Sequence, residues 1–251
     1  FTNPNDEPLP TLAGRSTRDQ ADQLRLSQEA LGQVPLPIDP QLPRQPTGTR
    51  PSRALPYELH ASARADAAAG TVQLLFSNTG KAGAVFHVYD KLNLGRLPRR
   101  YTVESGKTLD DTWNAAVDNS GFYDLWVLGP NGFHRHFKGN LDALRTSGAN
   151  PEVRVCYDIA NGNVYLDMRN GGTKSCKFTV SAKAYRNDGP WISTVDGGAT
   201  AEQHWELATS GQWYDFAVTC DADPGYLRRF AGRVETGKHT VSDPAMGLSD
   251  L

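Results

Sequence analysis

The segment Val72-Gln73-Leu74-Leu75-Phe76-Ser77-Asn78-Thr79-Gly80 is matched 92 positions later by Val164-Tyr165-Leu166-Asp167-Met168-Arg169-Asn170-Gly171-Gly172. In both segments every second residue is apolar until an asparagine and a glycine appear. This alternation is typical of a strand with one buried face, and the asparagine and glycine are typical of the tight turn that follows it. The alternation indicates a β fold, and its repetition indicates two copies of one module.

The similarity continues along the chain at nearly the same offset. The matched pairs are Phe86-His87-Val88 with Phe178-Thr179-Val180, Trp113 with Trp205, Tyr123-Asp124 with Tyr214-Asp215, and 133–139 with 226–232. A period of about 90 residues is too long for a solenoid and fits a duplicated small domain. Most matched residues are therefore expected to serve the fold, and the matched tryptophans predict a core indole in each copy.

Turn signals separate the short alternating segments in both copies, for example at 78–80, 129–132 and 223–225. About seven short strands in about 90 residues, without a long helical pattern, indicate an antiparallel β-sandwich. The sequence predicts an all-β protein with two tandem Ig-like or fibronectin-like sandwiches, preceded by a proline-rich tail with one short helix. We expect the tail at 1–52, the first copy at 53–145 and the second copy at 146–251.

Residues 1–56 differ in composition, since they hold ten of the 16 prolines and Phe1 is their single aromatic residue. Such a segment buries too little apolar surface to offset its own ordering entropy. One short helix is predicted there by capping-box spacing, a shared apolar face and a terminating glycine: Thr17, Gln20, Ala21, Leu24, Leu31 and Gly32. The proline runs between 34 and 51 predict an extended path along another surface.

The composition argues against several classes of partner. A net charge of −2 provides no basic field for nucleic acid and no polybasic run for anionic lipid, so no nucleic-acid partner is expected. No stretch approaches the ~20 apolar residues that span a bilayer. The chain starts at Phe1 without a leader pattern, so no signal peptide is visible and a fragment or processed product is expected.

The three cysteines, Cys156, Cys176 and Cys220, all lie in the second copy, so the fold of the first copy requires no disulfide. Their spacing matches neither a zinc site nor a CxxC motif. The favoured interpretation is buried, unpaired thiols. The alternative is a local bridge between Cys156 and Cys176 on neighbouring strands.

His134 and His136 are the densest candidate for chemistry, because alternate strand residues point to one face and can in principle share a metal. The second copy has Leu227 and Arg229 at the matching positions, and no carboxylate or cysteine obviously completes a ligand set. A surface-exposed histidine pair is therefore expected.

The acidic residues do not suggest a catalytic pair. Asp110 and Asp111 should face opposite sides of a strand and be solvated, and Asp124 and Asp215, each after a matched tyrosine, should tie a strand edge or turn. The common hydrolase, dinucleotide, zinc-protease and nucleotide-binding motifs do not occur in the sequence. We predict no catalytic residue, no metal and no cofactor for this chain.

Five aromatic residues are candidates for binding: Tyr89, Tyr101, Trp126, Trp191 and Trp213. Such rings can surround a quaternary ammonium, an interaction of ~0.5–2 kcal/mol per ring, or enter a lipid interface. The alternative is packing in the sandwich core and along strand edges, which suits Trp191 least because it follows Gly189-Pro190.

Several motifs resemble the C-terminal region of bacterial phosphocholine-specific phospholipase C. The motifs that carry this resemblance are Arg50-Pro51-Ser52-Arg53-Ala54-Leu55-Pro56-Tyr57-Glu58-Leu59-His60, Asn78-Thr79-Gly80-Lys81-Ala82-Gly83-Ala84-Val85-Phe86, Arg99-Arg100-Tyr101-Thr102-Val103-Glu104-Ser105-Gly106-Lys107, Tyr123-Asp124-Leu125 and Gly129-Pro130-Asn131-Gly132-Phe133. The likeness is specific in the first copy and weaker in the second.

The resemblance implies a parent enzyme that hydrolyses phosphatidylcholine or sphingomyelin to phosphocholine and a diacylglycerol or ceramide. In that family the catalytic domain resembles alkaline phosphatases and acid phosphatase A and precedes this region, so no catalytic residue is carried onto the present sequence. The resemblance also implies export from a bacterium, into the periplasm or the medium, often by a twin-arginine route.

Three roles follow as hypotheses. The leading one is a non-catalytic C-terminal region that packs on the parent's own catalytic domain and helps present a lipid of the membrane surface. The second is an independent module that binds phosphocholine headgroups or a membrane interface. The third is a purely structural module that stabilises the parent or contacts a secretion partner.

Overall fold

The computed structural model describes residues 18–32, 38 and 46–246. The chain divides into two compact units, residues 1–44 and 45–251. In the first part, α1 (Arg18–Ala30) confirms the predicted helix, and Gly32 has the left-handed φ of 62° that suits a helix-terminating glycine. Thr17 and most of the predicted proline-rich path lie outside the described residues.

Beyond residue 45 the chain consists mainly of strands. The first part of this series is β1 (Pro51–Ser52), β2 (Leu59–Asp66), β3 (Thr71–Asn78), β4 (Ala84–Asp90), β5 (Arg99–Val103), β6 (Lys107–Trp113), β7 (Phe122–Leu128) and β8 (His134–Asn140). Two short helices accompany it, α2 (Ala115–Asn119) before β7 and α3 (Leu141–Ser147) after β8.

The second copy repeats the series. Its strands are β9 (Pro151–Asp158), β10 (Asn163–Asn170), β11 (Cys176–Ala182), β12 (Trp191–Val195), β13 (Thr200–Trp205), β14 (Trp213–Cys220) and β15 (Asp223–Arg233). A final strand, β16 (Thr240–Val241), pairs with β1.

Each copy is a sandwich of a three-stranded and a four-stranded part. In the first copy β2, β3 and β6 face β5, β4, β7 and β8, and in the second β9, β10 and β13 face β12, β11, β14 and β15. Alternate residues of β3 and β10 are buried, as the sequence pattern predicts. Trp113 and Trp205 are both buried. The predicted all-β sandwich and its two core indoles are confirmed.

The two copies are joined by strand pairing. β8 and β15 pair antiparallel, so the two four-stranded parts form one eight-stranded sheet with the order β12-β11-β14-β15-β8-β7-β4-β5. Arg135 of the first copy matches Arg228 of the second, and Phe137 matches Phe230. Arg135 pairs with Phe230 and Arg228 pairs with Phe137, so the pairing is the same from either copy. A pseudo-twofold axis therefore passes through the pair His136–Arg229, and each copy covers an exposed strand edge of the other.

The buried apolar residues of both copies form one continuous cluster. The boundaries expected from the sequence, 1–52, 53–145 and 146–251, stay a prediction. Among the described residues, no helix is long and apolar enough to cross a membrane.

The three cysteines are free, with Cys176 and Cys220 buried and Cys156 half-buried. The predicted buried, unpaired thiols are thus confirmed for Cys176 and Cys220, whereas Cys156 is unpaired but only half-buried. The alternative bridge is wrong, because Cys156 on β9 and Cys176 on β11 do not lie on neighbouring strands and both thiols are free.

Candidate functional site

The outer face of the eight-stranded sheet carries a row of side chains across the junction of the two copies. Pairing partners along this row are Tyr89, Trp126, His136 and Arg229, on β4, β7, β8 and β15. The Trp126 ring packs edge-on against His134 and His136, with centroid distances of 6.1 and 5.9 Å. The row is therefore an aromatic and basic strip that runs across the first copy and reaches the pseudo-twofold axis at His136 and Arg229.

Two aspartates hold the basic side chains of this row. His136 Nε2 lies 2.6 Å from Asp124 Oδ1, and both residues are buried. Arg229 donates to the two carboxylate oxygens of Asp215 at 2.8 and 2.6 Å. These matched pairs lie on interior strands of the sheet, so the expected role of the aspartates at a strand edge or turn is wrong. Both carboxylates instead fix cationic or hydrogen-bonding partners beside the axis.

The two histidines are less exposed than the sequence indicates. His136 is 8% exposed because Trp126 and Asp124 pack around it, so the expected surface pair is wrong. Burial and then the positive charge of Arg229 lower the pKa of His134 to about 3, which keeps this ring neutral at neutral pH. Within the described ranges, no cluster of His, Cys, Asp or Glu side chains could hold a metal ion.

Asp110 and Asp111 point to opposite faces of β6, as expected. Asp110 is exposed and accepts a hydrogen bond from Gln73 at 2.9 Å. Asp111 accepts from Tyr101 and Arg99 at 2.5 and 2.7 Å. Partial burial acts to raise the pKa of Asp111, but these hydrogen bonds outweigh it and lower the pKa. Solvation was therefore the correct expectation for Asp110 and the wrong one for Asp111.

On the inner side of the junction, Arg135 is buried among oxygen atoms. Its Nη2 donates to the hydroxyl groups of Tyr157 and Tyr214 at 2.6 and 2.9 Å. Its Nη1 donates to the carbonyl oxygens of His134 and Ala231, each at 2.8 Å. Both tyrosines belong to the second copy, so the second copy solvates a cation of the first.

Arg228 repeats this arrangement from the second copy. Its Nη2 donates to the hydroxyl of Tyr123 in the first copy at 2.9 Å, and its Nε and Nη2 each lie 3.1 Å from the carboxylate of Glu152. Glu152 also accepts the backbone N–H of Ala65 at 2.9 Å. Burial is the main effect that raises the pKa of Tyr123 to about 12, so its hydroxyl stays protonated. Arg228 therefore ties both copies together through a fully engaged guanidinium.

Two of the five aromatic binding candidates lie together. Tyr89 and Trp126 are neighbours on β4 and β7, on the outer face. The Lys91 ammonium lies 4.1 Å above the centroid of the Trp126 ring. This ring face already holds a cation, which is the contact that a choline group would make.

The other three candidates lie elsewhere. Tyr101 is buried and stacks on Phe76 in the core of the first copy at 4.6 Å. Trp213 is buried and donates its Nε1 hydrogen to the carbonyl of residue 241 at 3.2 Å. Trp191 is half-buried and packs edge-on against Trp205 at 5.2 Å. The five rings therefore do not converge on one cage.

The duplicated sandwich has a counterpart among known protein families. The sequence model of the bacterial phospholipase C, C-terminal domain, matches residues 51–140 and 151–233. The chain belongs to this family. The two matches end where β8 and β15 end, so the unit described by the family is one copy of the sandwich. This confirms the resemblance found in the sequence.

Individual bacterial relatives agree with the family match. The chain is 43% identical to a non-hemolytic phospholipase C of Pseudomonas aeruginosa, over 100% of this chain and 36% of the relative. It is 45% identical to a non-hemolytic phospholipase C of Burkholderia pseudomallei, over 86% of this chain and 31% of that one. A hemolytic phospholipase C of P. aeruginosa is 39% identical over 83% of this chain and 31% of its own length. The chain thus spans about a third of these relatives.

The residues of the junction were not predicted from the sequence, although the repeat contained their signal. Arg135 and Arg228 recur at matched positions, as do Tyr123 and Tyr214. A charged residue that recurs at an inward-facing strand position needs a buried partner. That rule would have singled out both arginines.

Proposed function

We propose that this chain is a non-catalytic region of a bacterial phospholipase C that packs on the catalytic part and helps present phosphocholine lipids to it. The observation that carries the proposal is the duplicated family unit, in which the matched charged groups are engaged by partners inside the fold. Arg135, Arg228, Asp124 and Asp215 all have partners within the fold. Charged side chains that are engaged in this way stabilise the fold, which supports a non-catalytic role.

The activity of the parent enzyme forms part of this proposal. The relatives are named phospholipases C, and the resemblance implies phosphatidylcholine or sphingomyelin as the lipid. Export to the periplasm or the medium is the corresponding location. A lipid substrate lies within an assembled surface, so a region that contacts this surface can bring the catalytic part to its substrate.

The non-catalytic role is tested with the purified chain and vesicles of phosphatidylcholine or sphingomyelin. We expect no release of phosphocholine above the buffer control. Release at an enzyme-like rate, on the order of 1 s⁻¹ or faster, would contradict the proposal.

A second candidate function is headgroup binding at Trp126, where a choline group would take the place of the Lys91 ammonium that now lies 4.1 Å above the ring centroid. Trp126→Ala should then weaken binding to phosphatidylcholine vesicles at temperatures where the variant is still folded, and by more than its change in melting temperature explains. Trp191→Ala is the matched control, because Trp191 packs on Trp205 and Phe216 at 5.2 and 6.1 Å and its loss should lower the melting temperature. Equal losses of binding and stability for Trp126→Ala would identify a packing residue instead.

A further inference from the structure

Exposed apolar side chains cluster at one end of the first copy. The connection from β4 to β5 begins Lys91-Leu92-Asn93-Leu94-Gly95-Arg96-Leu97, and its three leucines are exposed, Leu97 to 91%. Val117 on the adjoining α2 is 85% exposed. We call Leu92, Leu94, Leu97 and Val117 the apolar tip. Single exposed leucines are ordinary on protein surfaces, but a grouped set marks a contact surface.

The base of the tip is fixed by hydrogen bonds. Asp90 is buried at the end of β4 and accepts a hydrogen bond from Asn93 Nδ2 at 2.7 Å. Asn93 Nδ2 also donates to Asn119 at the end of α2, at 2.7 Å. Arg96 and Asp118 form a second link of 3.4 Å between the connection and α2. These contacts fix the connection against α2, and its leucines point toward solvent.

The second copy has small or polar residues where the first has the tip. The residues 92 positions beyond Leu92, Leu94, Leu97 and Val117 are Ala184, Arg186, Gly189 and Thr209. Arg186 is held by both carboxylate oxygens of Asp188, at 2.6 and 2.7 Å. The same sandwich thus forms without these leucines, so the fold does not require them.

The two equivalent connections lie at opposite ends of the eight-stranded sheet. Since β8 and β15 are antiparallel, β4 and β11 also run in opposite directions, and the connections that follow them point apart. One end of the sheet is therefore apolar at this position and the other is polar. The two ends of the sheet thus differ, and of the two equivalent connections, both within the described residues, only that of the first copy presents exposed leucines.

We propose that the apolar tip enters the interfacial region of a bilayer of phosphocholine lipids. Three arginines flank the leucines in the same segment, Arg96, Arg99 and Arg100. Arg100 is exposed, and the side chains of Arg96 and Arg99 stay 54% and 44% exposed beside Asp118 and Asp111. Apolar side chains flanked by exposed arginines match the acyl boundary and the phosphate layer of a lipid surface. The proposal rests on the proposed role in lipid presentation and names the surface that performs it.

The test is sedimentation of the full chain with phosphatidylcholine vesicles. Leu94→Asp/Leu97→Asp should lower the partition coefficient at least about tenfold, because two leucines lose their transfer into lipid. Leu94→Ser/Leu97→Ser should lower it in the same direction, which separates lost apolar contact from added negative charge. Ile192→Asp is the matched control, since it changes an exposed apolar residue of β12 in the second copy.

The outcomes separate this proposal from the proposed function. Loss of binding in both tip variants, with normal melting temperatures and normal binding by Ile192→Asp, supports the tip. Equal binding by wild type and tip variants overturns the tip and leaves lipid presentation through another surface. Absence of wild-type binding overturns both the tip and lipid presentation. Equal losses in Ile192→Asp and the tip variants overturn the assignment to this end of the sheet.

Discussion

Arg135 and Arg228 occupy matched positions in the two copies, and each guanidinium donates to a tyrosine hydroxyl of the opposite copy. Both side chains are fully buried. Arg135 donates to Tyr214 and Arg228 donates to Tyr123, and the pseudo-twofold axis relates these two contacts. The junction is therefore held by reciprocal solvation of buried charge as well as by the strand pairing.

Arg228→Met should lower the free energy of unfolding by about 3–5 kcal/mol, because it leaves the Glu152 carboxylate without its buried cation. Chemical denaturation monitored by tryptophan fluorescence measures this change. The double variant Arg228→Met/Glu152→Gln should recover part of the loss, since the unpaired charge is then removed.

Arg145→Met is the control for that series. Arg145 and Asp142 form an ion pair whose side chains are 58% and 64% exposed, so its loss should cost no more than about 1 kcal/mol. A cost for Arg228→Met as small as that of Arg145→Met would show that the buried arginine does not hold the junction.

Trp205→Ala should lower the free energy of unfolding by about 3–5 kcal/mol, and Trp113→Ala should have an effect of similar size. Both indoles are buried, and the Trp205 ring lies 4.5 Å from Phe216. Trp205→Phe should cost less, because it keeps an aromatic ring and the Trp205 Nε1 group has no hydrogen-bond partner in the described part of the chain. Thermal and denaturant melts measure both series. Equal costs for Ala and Phe would contradict the packing explanation.

Stability should fall as the pH decreases below 6.5, partly because of His134. Its folded-state pKa is about 3, below the unfolded value of 6.5, so between these values the unfolded chain binds a proton that the folded chain does not. One such proton changes the free energy of unfolding by up to about 1.4 kcal/mol per pH unit. His134→Gln should make the fall between pH 6.5 and 5 shallower. An unchanged slope in His134→Gln would rule out this contribution.

The thiols should remain reduced and differ in reactivity. Burial raises the pKa of the Cys156 thiol, but this residue is half-buried and should react slowly with a thiol reagent in the native state. Cys176 and Cys220 are buried and should react only after denaturation. Cys156→Ser should abolish the native reaction and leave two thiols in denaturant. A disulfide-linked peptide in a non-reducing digest would refute this assignment.

The period-two pattern was enough to predict the sandwiches, because residues such as Phe76 and Phe178 bury alternate positions regardless of the partner strand. The joining of the copies was not predictable in the same way. The recurring Arg135 and Arg228 mark two strand positions that need buried partners, but the sequence does not indicate that these two strands pair with each other, because their partners lie far along the chain. Tyr214 lies 79 positions from Arg135, and Glu152 lies 76 positions from Arg228.

The exposure of individual side chains on the outer face and in the apolar tip was also not predictable from the sequence. Alternation correctly placed His134 and His136 on one face, but their burial depends on Trp126 and Asp124 from the neighbouring strand. The exposure of Leu92, Leu94 and Leu97 was equally hidden, because a leucine-rich segment can lie in a core or on a surface. Only the fold shows that these leucines point outward.

Presentation of lipid can be measured in a phospholipase C that carries this region. The measurement is kcat/KM on phosphatidylcholine vesicles relative to kcat/KM on a monomeric short-chain phosphatidylcholine, with and without residues 53–251. Removal of these residues should lower this ratio while hydrolysis of the monomeric substrate continues. A soluble remainder that hydrolyses vesicles as well as the intact enzyme would exclude lipid presentation and leave this region a purely structural or secretion role.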